Sequence, residues 1–471
     1  MALFMTDGSA WENKELSRDV GVFGAFATVV AGTLGAGLFV TLGTASKTTG
    51  PSVIAMVVVT GVVAMAVAFN YAYISTIFPG AGSAYSFLSR AYENRYAGFV
   101  VTWAKWLGYM AAQAALAIGF GSYLAVFLPG VNQALAGFAL LTLLFLINMV
   151  GIERYSLSQN IIFSLLIVSI LVLVIPGSWN VEPANYTPFL TGGLDGALQS
   201  AVPLFYAYIG IAVAGMISAE VKNPDRNLPI ALVGGTGFLI FIYVWTAIVI
   251  YGVVNDWTVL ANSARPLATA GEAFLPFNAT AIVAFGGLLA TTSSVHAVMA
   301  AAIKMPYSWG WDQIFPQWFS EVNERWRTPH WSLLVTYVGA VVLTFWSGGL
   351  SQAIGIATFS YLIAYFTVSL TVGYIYLYRP HLHEQSAIDF GGWHLFSVAV
   401  AVVGSGALLT VGKAWDGALS IFVPWVVIGT AIFAFFWYRG KDSDTTTSQI
   451  FDTLPGVATQ DYDPDIGMSD D

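Results

Sequence analysis

Long apolar runs alternate along this chain with short polar connectors. A helix needs about 20 apolar residues to cross the hydrocarbon core of a bilayer. Segments of that kind fall at 20–45, 50–78, 96–128, 131–150, 157–177, 195–219, 228–254, 272–304, 331–347, 351–378, 391–411 and 416–438. The pattern predicts an all-α membrane protein with twelve transmembrane helices. Segments 96–128 and 272–304 exceed the minimum length, so these helices are expected to tilt or to extend past the bilayer.

Two apolar runs are interrupted. The first, "GVFGAFATVVAGTLGAGLFVTLGTA", carries Gly32, Gly35 and Gly37 near its middle, and the sixth carries Gly210 and Gly215 near its own. These two spans open successive halves of five helices. Five is odd, so the second half enters the membrane from the opposite side. Paired interruptions at matching positions point to an inverted repeat with discontinuous helices 1 and 6 and a binding site at the midplane. An unwound turn frees N–H and C=O groups, and in lipid these must find partners. A zwitterion supplies both, its carboxylate at a half-helix N-terminus and its ammonium at freed carbonyls. The competing reading is close packing, because small-residue clusters also let membrane helices touch.

Charge adds orientation. With the N-terminus inside, the cytoplasmic connectors hold thirteen of the seventeen Lys and Arg residues (Lys14, Arg18, Arg90, Arg95, Arg154, Lys222, Arg226, Lys304, Arg325, Arg327, Arg379, Arg439 and Lys441), and the outer ones hold Lys47, Arg265 and Lys413. That bias places both termini in the cytoplasm of a multi-pass plasma-membrane protein. Composition agrees: of 471 residues 57% are hydrophobic and 9% charged, against about a quarter charged in a soluble protein. The net charge is −9, much of it in residues 439–471, where eight Asp face Arg439 and Lys441; this tail is expected to be disordered and cytoplasmic. Residues 1–19 form a polar N-terminal segment without the basic-then-apolar order of a cleaved signal. There are no cysteines and no G-x-x-x-x-G-K-[ST] phosphate loop, so thiol chemistry and direct coupling to ATP are excluded.

Several stretches resemble the amino acid–polyamine–organocation (APC) superfamily. "GTLGAGLF" is similar to its span-1 signature, and "LFYAYIGIAVAGMISAEVKNPDRNLP" is similar to its span-6 block. "PGAGSAYSFLSRAYENRYAGFVVTWAKWLGY" resembles its span 2–3 loop, and "GGLLATTSSVHAVMAAAIKMPYSWGWDQIFPQW" its span 8 and the loop after it. The resemblance extends over about residues 20–438. It implies the five-plus-five fold of the leucine transporter, with repeats at 20–177 and 195–378, a final helix pair at 391–438, and secondary transport of an amino acid by alternating access. It places the substrate carboxylate on the N–H groups of Ala36 and Gly37, and the ammonium on the carbonyls of Thr33, Tyr206 and Ile209, with Tyr206 as an aromatic gate. Its sodium-coupled members use A-x-x-[ST]-[ST] in span 8 with span-1 carbonyls. Here Ala290, Ser293, Ser294, Ala31 and Leu34 fit that set. No other cofactor is implied, no enzymatic activity, and no partner besides an amino acid and the lipid bilayer; neither nucleic acid nor ATP is expected.

Where the chain departs from the family, it narrows the substrate. Ala212 stands where many members carry an acid, which disfavours cationic substrates, and no lysine occurs in span 5. Lys105 lies about nine residues into span 3, roughly 13 Å along it. A charge at that depth costs about 2.5–3.5 kcal/mol. Three readings stand: it holds an acidic substrate, it carries a coupling proton, or it snorkels to the headgroups. Tyr109, four residues on, shares its face. Neutral amino acids are the first expectation and acidic ones the second, with sodium coupling, proton coupling and exchange all open. A membrane receptor that binds an amino acid without moving it is the alternative.

Overall fold

The computed structural model describes residues 20–78, 83–150, 155–211, 221–323, 325–326, 328–389, 391–410 and 418–440. Gly215, Ala212, Glu220, the N-terminal segment and the acidic tail lie outside the described residues. Within them the chain is helical, and the only β pairing is an isolated bridge between Val20 and Val221.

Every apolar run holds a helix: α1 (Val22–Thr49), α2 (Val53–Ile77), α4 (Arg95–Leu124), α5 (Gln133–Val150), α6 (Tyr155–Ser178), α7 (Gly193–Tyr206), α9 (Gly235–Val253), α12 (Phe277–Ala302), α14 (His330–Trp346), α15 (Leu350–Tyr378), α17 (Trp393–Thr410) and α18 (Leu419–Gly440). Short helices that hydropathy does not register fill the connectors: α3 (Ala84–Ala91), α8 (Pro224–Pro229), α10 (Trp257–Ala261), α11 (Pro266–Glu272), α13 (Lys304–Trp311) and α16 (Pro380–Glu384). Among the described residues, eight stretches are helical, long and apolar enough to cross a membrane; one of them, Val22–Ile77, contains both α1 and α2.

Local chemistry sets the ends. Asn94 begins α4 by accepting from the N–H groups of Tyr96 (3.0 Å) and Ala97 (3.2 Å). Gly50 ends α1 at φ +63°, a conformation that favours glycine. Inside the helices, hydroxyls fold back on their own backbone: Thr28 donates to Gly24 O (2.7 Å), Thr60 to Met56 O (2.7 Å) and Thr358 to Ile354 O (2.8 Å). A threonine in hydrocarbon is satisfied in this way without a neighbour.

The hub is α4, buried along nearly all of Gly98–Tyr123. It packs on α15, α12, α5, α14, α3 and α18. Glycines let those neighbours close in: a Cβ on Gly108 would lie 2.7 Å from Ser360 Cβ, and one on Gly121 2.4 Å from Gln133 O. Outer helices show the reverse pattern. Val59, Leu143, Leu146, Val168, Phe241, Val403 and Val427 are exposed. An apolar exterior of this extent is suited to lipid rather than water.

The predicted discontinuity of helix 1 is not observed. α1 runs unbroken from Val22 to Thr49. Its glycines serve contact instead of unwinding. A Cβ on Gly35 would sit 2.1 Å from Ala290 O on α12, one on Gly32 3.0 Å from Ala297 Cβ, and one on Gly37 2.6 Å from Ala207 Cβ. The backbone of α1 therefore approaches α12 and the end of α7 as closely as atoms allow while keeping its own hydrogen bonds. The sixth span does break, at Tyr206.

One buried ion pair ties α3 to the end of α13. Arg90 forks onto Asp312, with Nη2 donating to Oδ1 at 2.9 Å and Nη1 donating to Oδ2. Tyr85 Oη also donates to Oδ2, and Arg95 Nη1 donates to Asp312 O at 3.1 Å. Burial first, and the Asp312 charge second, push the Tyr85 hydroxyl well above the usual phenol range, so it remains a donor. Removing one partner strands a buried charge. Arg90→Ala is expected to lower stability by about 3–5 kcal/mol, whereas the double change Arg90→Met with Asp312→Leu should recover most of it. Unfolding midpoints of the detergent-solubilised proteins measure both.

Candidate functional site

The end of α7 lies among side chains of other helices. Pro203, inside α7, lacks the N–H that would bond Gln199 O, upstream of the point where the helix ends. From there the chain tightens into i→i−3 bonds: Ala207 N to Leu204 O (3.0 Å), Tyr208 N to Phe205 O (2.9 Å), Ile209 N to Tyr206 O (3.2 Å) and Ile211 N to Tyr208 O (3.2 Å). Two carbonyls on this turn take partners from other helices. Tyr243 Oη, on α9, lies 2.9 Å from Ala207 O and 3.1 Å from Thr33 O. Tyr365 Oη, on α15, donates to Ile209 O at 2.7 Å. A hydroxyl has one hydrogen, so Tyr243 shares its single proton between two acceptors.

The turn lies against α1 at two points. A Cβ on Gly210 would fall 2.2 Å from Thr33 Oγ1 and 2.8 Å from Thr33 Cα; a Cβ on Gly37 would fall 2.5 Å from Tyr243 Oη and 2.8 Å from Ala207 Cα. Beside the second contact is a cavity of about 10 Å³ lined by Gly37, Leu38, Thr41, Val57, Ala207 and Tyr208. That is about the smallest space that holds one water molecule, and an amino acid does not fit it. The contact is closed in this conformation.

The structure thus brings Thr33, Gly37 and Ile209 to one place, with Tyr206 alongside, its Oη donating across to Ala112 O on α4 at 3.1 Å. The backbone N–H groups of Ala36 and Gly37 lie inside an unbroken helix and are committed to its ladder. The carbonyls of Thr33 and Ile209 are held by tyrosine hydroxyls, and Tyr206 O accepts from Ile209 N. Tyr243 and Tyr365, which hydropathy and motif matching pass over, are the residues that close the site. Nothing in the sequence marks them among 22 tyrosines.

The oxygen set considered for sodium is partly assembled. Ser294 Oγ donates to Ala31 O at 3.2 Å, and the Ala290 carbonyl abuts Gly35. Leu34 and Ser293 are buried on the same two helices. The α1 carbonyls, however, belong to a continuous helix, and Ala31 O serves Ser294 as well as the ladder. The residues as arranged do not fit a cation.

Lys105 does not snorkel. It is fully buried in α4, its Nζ 3.4 Å from Tyr71 Oη and 5.4 Å from that ring's centroid. Tyr109 (5.5 Å), Tyr361 (5.9 Å) and Tyr365 (5.9 Å) complete an aromatic box around the ammonium. Cation–π attraction in such a box is worth about 2 kcal/mol or more when desolvated. Tyr365 joins this box to the α7 turn: its hydroxyl holds Ile209 O, and its ring meets Phe205 edge-on at 5.9 Å.

A family model described as "Amino acid permease" matches residues 20–448. Among curated relatives, the chain is 26% identical over 458 residues to the methylthioribose transporter of Bacillus subtilis, covering 92% of this chain and 95% of the relative. It is 24% identical to the branched-chain amino acid permease of the same organism, covering 67% and 72% of the two chains. It is 25% identical to the mitochondrial cationic amino acid transporter 3 of Arabidopsis thaliana, covering 73% and 60%.

Adding a side chain at either glycine contact should force α1 and α7 apart. Gly210→Val and Gly37→Val are expected to lower stability by about 1–3 kcal/mol through overpacking, whereas Gly355→Ala, which meets nothing within 4 Å, should be nearly neutral. Melting temperatures of the three purified variants test this.

Proposed function

This chain belongs to the amino acid permease family, and on that premise we propose that it moves an amino acid across the plasma membrane by alternating access, as a secondary transporter with both termini cytoplasmic. The observation that carries the proposal is the α7 turn at Ala207–Gly210. Two of its carbonyls, Ala207 O and Ile209 O, accept from tyrosine hydroxyls on other helices. A substrate ammonium can take over Ile209 O and Thr33 O by displacing Tyr365 and Tyr243, with no further loss of helical bonds. Loading the site then requires α1 and α7 to separate from the closed contact, which is a conformational step of the kind alternating access needs.

The helix contacts support twelve spans arranged as two inverted halves. Exchanging α1, α2, α4, α5 and α6 with α7, α9, α12, α14 and α15 maps α4–α15 onto α12–α6, α1–α6 onto α7–α15, and α2–α7 onto α9–α1, all of which pack closely. The pairs α1–α7, α2–α9 and α4–α12 map onto themselves and also pack. The mirror of α1–α12 is looser, linked by the Tyr206 hydroxyl on Ala112. α1 and the segment after the sixth span are also joined at one end, where Lys222 N donates to Val20 O at 2.9 Å. That bond favours α1 and the sixth span moving together against a scaffold centred on α4.

Substrate class follows from charge. Lys105 stands in the same buried region with no anionic partner among the described residues, which favours neutral or acidic amino acids over cationic ones. The named relatives carry substrates of differing chemistry, so a screen has to include methylthioribose beside the amino acids.

Proteoliposomes containing the purified protein test the proposal. Uptake of labelled leucine or glutamate above protein-free vesicles, driven by an imposed sodium or proton gradient or by internal amino acid, is the expected result, and which of the three drives it identifies the coupling. Saturable binding without flux under any of them would make the protein a receptor instead.

A further inference from the structure

We propose that the buried polar strip on α4 formed by Lys105, Tyr109 and Gln113, together with Tyr361 of α15, is the carboxylate-binding side of the site; the inference rests on the transport reading above. The three α4 residues are spaced i, i+4 and i+8, so they line one face of the helix. All four side chains are fully buried. Three of their polar atoms, Tyr109 Oη, Tyr361 Oη and Gln113 Oε1, have no hydrogen-bond partner among the described residues. Each such group costs about 1–3 kcal/mol, and three of them along one helix face around a buried ammonium are a concentration that packing alone does not account for.

Their chemistry specifies the ligand. The Lys105 ammonium has three hydrogens and directs one at Tyr71 Oη, 3.4 Å away. Two remain, and the Tyr109 and Tyr361 hydroxyls add two more donors, their rings meeting edge-on at 5.1 Å. Four spare donors beside an uncompensated positive charge suit a carboxylate, whose two oxygens offer about four acceptor sites. Gln113 Oε1 is a spare acceptor further along the same helix face, and Gln113 Nε2 is already used on Tyr109 O at 3.3 Å. A cationic side chain would meet the Lys105 charge and find a single acceptor.

The strip also has a route to the moving part of the fold. Tyr365 touches the Lys105 box with its ring and holds Ile209 O with its hydroxyl. Release of Ile209 by Tyr365 frees one wall of the box, so opening the α7 turn and exposing Lys105 are one event.

The carboxylate has two possible sources, the α-carboxylate of any amino acid or the side chain of an acidic one. Ligand-induced thermal shifts and equilibrium binding to the full chain in lipid nanodiscs separate them, with L-glutamate, L-leucine, L-leucinamide and L-lysine as probes, each on wild type, Lys105→Gln and Tyr361→Phe. A side-chain source gives glutamate binding well above leucine, with the difference lost in Lys105→Gln. An α-carboxylate source gives comparable glutamate and leucine binding, none of leucinamide, and loss of both in Lys105→Gln. In either case the loss is expected to be about tenfold or more. Tyr361→Phe removes only an unpartnered hydroxyl. It should weaken carboxylate binding about fivefold without lowering the melting temperature of the unliganded protein, which keeps the test valid should Lys105→Gln fold poorly. Affinities within about twofold of wild type in the folded variants would overturn the proposal and leave the transport reading standing. Wild type that neither binds nor takes up any probe would overturn both.

Discussion

Inside hydrocarbon no water is at hand to satisfy a peptide group, so every N–H and C=O has to find a partner within the protein. This constraint explains why the described residues of the apolar runs are mostly helical, and it makes the turn after Tyr206 the most informative place among them. There the helix stops, and the carbonyls of Ala207 and Ile209 are served by side chains from α9 and α15. A hydroxyl can rotate away from a carbonyl at little cost, whereas an i→i−4 bond cannot be surrendered without unwinding its neighbours. The turn is therefore closed by bonds that can be exchanged.

Glycine does different work on the two sides of that contact. On α1 it lowers the distance of approach: Gly32 and Gly35 face α12, and Gly37 faces Ala207, while the helix itself stays intact. On the α7 side, Gly210 is set against Thr33 so tightly that a methyl group would overlap its Oγ1. The same residue type thus favours packing in one helix and permits a break in the other. External hydroxyls reach carbonyls on both spans, Thr33 and Ala31 on one and Ala207 and Ile209 on the other, whereas only the second carries a proline, Pro203.

Buried charge is handled in two contrasting ways. Arg90 and Asp312 satisfy each other in a fork reinforced by Tyr85 and Arg95, a fixed pairing that fastens two connector helices to the hub. Lys105 has only aromatic faces and one long contact to Tyr71. A fully paired charge contributes to one conformation; an ammonium held by polarisable rings keeps donors free for something that arrives later.

The apolar periodicity and the motif resemblance by themselves determined a great deal: an all-helical membrane chain, the positions of its long helices, membership of a permease family, and Lys105 with Tyr109 as an anomaly on one helix face. These are legible because the hydrophobic thickness of a bilayer imposes a length on each run and because a charge in such a run has no trivial explanation. Tertiary structure alone decided the rest. Whether "GTLGAG" unwinds or packs depends on what approaches it, and α12 and the α7 turn approach closely enough to use every missing side chain. That Tyr243 and Tyr365 close the site, and that Tyr71, Tyr361 and Gln113 join Lys105, was not legible either, because these residues come from α2, α4, α9 and α15, far apart in the chain and indistinguishable by pattern from other buried tyrosines and polar residues. The α3 and α13 helices and their ion pair escaped for a related reason: the signal for a membrane span is apolar length, and a short polar helix buried by an Arg–Asp fork has none.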